Sequence, residues 1–201
     1  MTAELIDDPG FLRMPLPQGR EWTWADLQEI PEDVGHRYEI IDGSLCVSLG
    51  PSRPHQVAAG RLRSLLVDAA PSHVEVVESG YVEMPHNIFI SDVVVLPADL
   101  AHSFGGPLKP DHVLLVVEVV SPSSRRMDRM VKPSVLAEHG VVAYWRVELD
   151  GPQAPTVVVH ELTGGVYREV TTVRAGESVV VDVPFPVELR PAELAGPRRS
   201  G

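Results

Sequence analysis

Apolar residues along this chain follow two rhythms, and the changes between them lay out the elements. Alternation or short unbroken apolar runs mark strands, and apolar spacings of three and four mark helices. In "RYEIIDGSLCVSLG" two apolar-rich runs flank Asp42-Gly43, a pair suited to the positive φ of a tight hairpin turn. "SRPHQVAAGRLRSLLVDAAP" follows as a helix, with Ser52 as its cap and Pro54 in its first turn. Val57, Leu62, Leu65 and Leu66 fall near one face of it. "HVEVVESGYVEMP" and "NIFISDVVVLP" read as strands separated by Pro85-His86-Asn87, and "ADLAHSFGGPLKPDH" as a loop. "VLLVVEVV" reads as a central strand buried on both faces. A helix is expected within 126–139, ended by Gly140, and "VVAYWRVEL" is the next strand. The middle of the chain thus orders as helix, three strands, helix, strand.

The flanks are simpler. Residues 1–20, with Pro9, Gly10, Pro15, Pro17 and Gly19, read as an irregular N-terminal arm. "TWADLQEIPED" carries a helix start at Thr23 with Asp26 three residues on, and Pro31 stops it. "TVVVHEL", "GVYREVTTV" and "ESVVVDV" form an antiparallel β extension over about 155–183, and 191–201 is a flexible tail. One domain over 21–190, with its core at about 52–149, is the expectation. The fold class is mixed α/β (α+β).

Composition changes this picture little. Hydrophobic content of 44% and charged content of 22% suit a globular domain, and the single Cys46 rules out an intrachain disulfide framework. No apolar run approaches the roughly 20 residues of a membrane span. The start, "MTAELIDDPGFLRMP", places acids where a secretory leader is basic, so a cytoplasmic location is expected. A net charge of −11 argues against a basic coat for non-specific nucleic-acid binding. It leaves room for acids gathered around a metal.

Two acids stand out because they sit in strands that should be buried. Asp92 opens "VVVLP" and Glu118 lies near the end of "VLLVVEVV". Antiparallel pairing would bring the start of one strand beside the end of the other, so the carboxylates would converge. A hard cation would satisfy both, and Mg²⁺, which needs only one or two carboxylates, fits best, with Mn²⁺ as the substitute. Lys132 could place an ammonium beside that ion to orient water or offset charge on a phosphate. The structural alternatives are an Asp92 that serves a turn, a Glu118 paired with Arg125 or Arg126, and a solvated Lys132 paired with Asp128.

This order of residues resembles the PD-(D/E)xK, restriction-endonuclease-like superfamily, and within it the large bacterial family described as putative restriction endonucleases and long known as a domain of unknown function. The resemblance rests on "YEIIDGSLCVS", "PSRPHQ", "SDVVVLP", "LLVVEVVSPSSRRMDRMVK" and "HGVVAYWRVEL", about residues 37–149. It implies an αβββαβ core with an N-terminal β-hairpin. It also implies that Asp92 and Glu118 are the two motif acids and that Lys132 is the motif lysine displaced onto the following helix, Val120 standing in its usual place. Glu39 and His55 match a family acid and histidine near the site; the alternatives are a hairpin surface acid and a solvated first-turn residue. Ser91 replaces the motif proline. Pro133 directly after Lys132 disfavours helical backbone there, so the helix should begin late or kink.

The resulting expectation is an Mg²⁺-dependent endonuclease acting on DNA. Asp92, Glu118 and the Val119 carbonyl would hold the metal, with Lys132, Glu39 and His55 assisting. A homodimer is expected by analogy. The competing expectation is a catalytically silent module that pairs through its β extension. No Gly-rich phosphate loop or nucleophile elbow is present to support other chemistries.

Overall fold

The structure, a computed structural model, describes residues 4–5, 11–14, 19–31, 35–102 and 105–196. Strands β1 (Glu4–Leu5) and β2 (Phe11–Met14) come first, then helix α1 (Trp24–Gln28). The hairpin follows as β3 (His36–Ile41) and β4 (Ser44–Leu49), then α2 (Arg53–Ala69), β5 (Val74–Met84) and β6 (Asn87–Pro97). A short helix α3 (Ala98–Ala101) precedes β7 (Leu115–Val120). Helix α4 spans 125–138, and β8 (Ala143–Glu148), β9 (Thr156–Thr163), β10 (Val166–Val173), β11 (Val179–Val181) and β12 (Val187–Leu189) complete the chain. The run α2-β5-β6-β7-α4-β8 is the expected αβββαβ core.

Local chemistry explains the boundaries. Asp42 and Gly43 both adopt positive φ (48° and 72°), the pattern of a two-residue hairpin turn. The Thr23 N–H donates to Asp26 Oδ2 at 2.8 Å, the reciprocal half of a capping box. Helix α2 starts after Ser52 with Pro54 in its first turn. It buries Ala58, Ala59, Leu62 and Leu66 in the main core, whereas Val57 is exposed, contrary to the expected face.

Ten strands form one sheet, ordered β1-β2-β4-β3-β6-β7-β8-β9-β10, with β5 also pairing β6. β6 and β7 are antiparallel, as expected, and β7 and β8 are parallel. The strand β6 has an unusual pair of edges. β5 runs along one edge from Asn87 to Pro97. The other edge is shared: β3 meets it at Ile88 and β7 at Val93–Val95. Between those two contacts the sheet forks.

Alternate residues of β7 serve two cores. Leu115, Val117 and Val119 join the cluster under α2 with Val93, Val95 and Trp145, while Val116 joins a second with Val94, Leu136 and Tyr144. Each fully buried aliphatic side chain contributes about 1.5–3 kcal/mol. Behind the fork β5 stays continuous but holds one left-handed residue. Ser79 has φ 55°, and at Gly80 a Cβ would meet Val94 Cγ2 at 2.8 Å.

Several expectations need correction. The N-terminal stretch read as irregular contains β1 and β2, and β2 pairs β4; the rest of it up to residue 18 lies outside the described residues. The expected 98–112 loop includes α3 and a helical turn at Pro110–His112. β12 was not foreseen, and the start of the expected tail is a helical turn, Pro191–Leu194, with Pro191 and Leu194 buried; residues 197–201 lie outside the described residues. Among the described residues no helix is long and apolar enough to cross a membrane.

Candidate active site

The fork supplies backbone groups that need partners. Neighbouring strands would normally satisfy the Ile90 N–H and C=O, but here side chains do. Glu39 Oε1 accepts the Ile90 N–H at 2.9 Å, and Lys132 Nζ donates to the Ile90 oxygen at 3.0 Å. The β6–β7 register pairs Val93 with Val117, so one further step sets Asp92 opposite Glu118. Directly opposed residues share a face, with Cβ atoms about 5 Å apart. Asp92 Oδ2 accepts the Val119 N–H at 2.7 Å, which closes the ladder with a side chain.

The sequence-proposed residues meet at this point. Asp92, Glu118, Glu39, His55 and Lys132 are all buried, with Glu118 at 1% and Asp92 and Lys132 at 3% exposure. Lys132 Nζ lies 3.0 Å from both Glu118 Oε1 and Glu39 Oε1, and 3.9 Å from Asp128 Oδ1. His55 Nε2 lies 3.0 Å from Asp92 Oδ2, and the Arg37 guanidinium donates to Asp92 Oδ1 at 2.5 Å. Glu118 therefore pairs with Lys132. Arg125, the partner considered from the sequence, instead contacts Asp150 at 3.4 Å. With these residues a cavity of about 220 Å³ is lined by Ser52, Ser121 and Ser124 among others, and Val119 borders it.

Pro133 leaves Lys132 inside the helix. α4 absorbs the missing donor through a π turn over Met127–Val131, in which the Lys132 N–H bonds to the Met127 carbonyl five residues back. Lys132 itself is helical (φ −55°, ψ −50°), so the late start or kink expected from "KPS" is replaced by a widened turn. That turn aims Asp128 and Lys132 inward together. The Tyr144 hydroxyl holds the Asp128 carbonyl at 2.6 Å, and Ser124 Oγ donates to the Asp128 carboxylate.

Arg37 and Asp128 were missed as site residues. Arg37 shares the period-two face of β3 with Glu39, which was the available signal. Asp128 was visible only as the helical neighbour of Lys132.

The cluster holds more acids than permanent cations. Glu39, Asp92, Glu118 and Asp128 bring four carboxylates, while Arg37 and Lys132 bring two permanent cations, leaving His55 aside. The surplus appears in proton affinities. Burial opposes the Asp92 carboxylate, but the His55 hydrogen bond, Arg37 and the Val119 N–H together hold it well below its usual range. Burial pushes Glu118 well above the carboxylate range; Lys132 opposes this, while Asp92, Asp128 and Glu39 add to it. Burial, with the charges of Asp92 and Glu39, likewise raises Asp128 to about 7 against the pull of Lys132 and Ser124. Burial disfavours the Lys132 ammonium, yet Glu118, Glu39 and Asp128 outweigh it and keep it charged.

Among the described residues no group of three or more His, Cys, Asp or Glu side chains is arranged to hold a metal by itself. Mg²⁺ needs only one or two carboxylates, with carbonyls and waters completing its shell. The hard oxygen donors, and the surplus of acids over permanent cations, both fit a divalent cation.

Comparisons with known proteins identify the family and the fold. The family model described as "Uma2: Putative restriction endonuclease" matches residues 24–195. A crystal structure from Anabaena variabilis ATCC 29413, described as "a putative nuclease belonging to DUF820", superposes with a TM-score of 0.63 at 16% identity. The match covers 86% of this chain and 97% of that one. The likeness is one of fold, which is restriction-endonuclease-like. No curated protein matches the chain.

Proposed function

This chain belongs to the Uma2 family, whose model carries the description "Putative restriction endonuclease", and from that premise we propose that it is a divalent-metal-dependent nuclease hydrolysing DNA. The observation that supports this best is the buried pairing of Asp92 with Glu118 in a cluster where four acids face two permanent cations. Asp92 and Glu118 would hold Mg²⁺ or Mn²⁺, with the Val119 carbonyl as a further ligand. The ion would supply Lewis acidity toward a phosphoryl oxygen and lower the pKa of a bound water.

The residues of the chain do the rest. Arg37, His55 and the Val119 N–H fix the orientation of Asp92 and keep it ionised. The raised proton affinities of Glu118 and Asp128 would fall when positive charge arrives. Lys132, tied to the Ile90 carbonyl and flanked by three carboxylates, supplies an ammonium that offsets charge developing on the phosphate. Glu39 holds Lys132 in place and braces the fork through the Ile90 N–H.

The module reading has less support. β10 lies at the end of the sheet order, but its pairing with β9 shifts between Glu169 and Thr171, and such irregularities blunt an edge against added strands. The test is cleavage of labelled DNA with Mg²⁺ or Mn²⁺, comparing the wild type with Asp92→Asn, Glu118→Gln and Lys132→Met. We expect metal-dependent cleavage and a loss on the order of a hundredfold or more for each variant. Variants that bind metal and cut like the wild type would refute the assignment.

A further inference from the structure

Helix α4 carries both Asp128 and Lys132, and its winding departs from α geometry where the two residues meet. In the regular 3.6-residue winding of an α-helix, Met127 and Leu136 would face about 180° away from each other. Both are instead buried in one core cluster together with Tyr144. The π turn over Met127–Val131 takes up one extra residue, so that Met127, Lys132 and Leu136 fall along one side of the helix and all three are buried. Lys132 is thereby carried to Glu118, Glu39 and the Ile90 carbonyl.

The wide turn leaves a main-chain acceptor without its helical donor. The Lys132 N–H bonds to the Met127 carbonyl. The next bond of that ladder would run from residue 133 to the Asp128 carbonyl, and Pro133 has no N–H to give. Asp128 is only 2% exposed, so water cannot easily take the place of that donor. A buried acceptor left unpaired destabilises whatever conformation hides it.

Tyr144 supplies the donor. Its hydroxyl reaches the Asp128 carbonyl at 2.6 Å. The residue sits on β8, paired with Val116 of β7, and is fully buried. Its ring stacks on Tyr167 with centroids 5.6 Å apart. The turn is therefore held from the sheet, by a side chain whose hydroxyl bonds to main chain rather than to a carboxylate of the site.

We infer that Tyr144 is a positioning residue. By standing in for the N–H that Pro133 lacks, its hydroxyl keeps the π turn in place and so fixes Lys132 against Glu118. Its contribution to catalysis rests on the nuclease reading above; its hold on the turn does not.

The test combines two substitutions. Tyr144→Phe keeps the ring and removes the hydroxyl, and Pro133→Ala restores an N–H that can reach the Asp128 carbonyl. Two readouts are taken on the full-length protein: Mn²⁺-dependent cleavage of labelled DNA, and amide hydrogen exchange at Lys132 by NMR without metal. Tyr144→Phe should lower kcat about tenfold and leave KM for DNA unchanged. The same variant should speed exchange at Lys132 about tenfold. In a Pro133→Ala background Tyr144→Phe should cost less than about threefold on both readouts, because the alanine N–H takes over the carbonyl.

A tyrosine that only fills space would give equal losses in the two backgrounds, and that result would overturn the inference. Exchange at Lys132 that ignores Tyr144→Phe would overturn it too. Coupled exchange with an unchanged kcat would overturn the positioning role and leave a structural bond alone. A wild type that cuts no DNA would count against the nuclease reading, and exchange in the two backgrounds would still decide whether Tyr144 holds the turn.

Discussion

β6 and β7 run side by side, yet the two ends of their shared seam are built differently. From Val93 to Val95 and Leu115 to Val117 every side chain is apolar and fully buried, packed under α2 on one face and α4 on the other. One residue beyond, Asp92 faces Glu118, and the surroundings become four carboxylates, two cations and a histidine. Burial is equally deep at both ends. The apolar end gains stability from every group it hides, while the charged end must satisfy each hidden group individually. The proposed chemistry is a reason for keeping so costly an end, and comparing the two ends gives that claim measurable content.

The largest difference should come from Lys132→Ala. It leaves Glu39, Glu118 and Asp128 without their shared cation, at a cost of about 3–5 kcal/mol at pH 8 in urea unfolding. The loss should shrink at pH 5.5, where the acids take up protons, and Mg²⁺ should recover part of it. Leu115→Ala, at the apolar end, should cost about 2–4 kcal/mol by the same measurement. That loss should be the same at both pH values and indifferent to Mg²⁺. If the two variants respond alike to pH and metal, the contrast between the ends fails.

The wild type should show a smaller effect of the same origin. Asp128 titrates at about 7 in the folded chain against an ordinary 3.8. Between those values the folded chain holds a proton that the unfolded chain has lost, so stability falls as pH rises, by up to about 1.4 kcal/mol per pH unit for one proton. Glu118 is raised too and adds to the same trend. Asp92, held low, acts in the opposite sense: its stabilisation is present above 3.8 and is lost as pH falls below that value. Metal-free protein should therefore melt higher at pH 5.5 than at pH 8, and Asp128→Asn should flatten the slope. A melting temperature that climbs from pH 5.5 to 8 would contradict this.

The smallest effect lies behind the fork. Ser79, exposed and opposite Asp92 in the β5–β6 pairing, holds φ 55°. Ser79→Gly should relieve left-handed strain and stabilise by at most about 1 kcal/mol, seen as a small rise in melting temperature. A fall would show that the serine side chain supports the left-handed backbone there.

Much of this contrast was legible in the sequence. Glu118 stood out because a carboxylate in "VLLVVEVV" breaks an apolar run, and Asp92 because the strand after it is unbroken. Their meeting followed from antiparallel order alone. The fork itself was not legible, because it depends on β3 and β7 sharing one edge of β6, a long-range choice without a local signal. Arg37 was overlooked for that reason: an arginine in a hairpin strand looks solvated until its partner 55 residues away is known. The π turn escaped notice because Pro133 argues locally against a helix at Lys132, and the buried ion pairs of that lysine outweigh the local preference.

The most direct test is anomalous diffraction from crystals soaked in Mn²⁺ near pH 8. The account requires a single strong peak within bonding distance of carboxylate oxygens from both Asp92 and Glu118, and no such peak in Asp92→Asn crystals. Well-ordered wild-type crystals without a peak at that position, or with an ion held only by other residues, would contradict it.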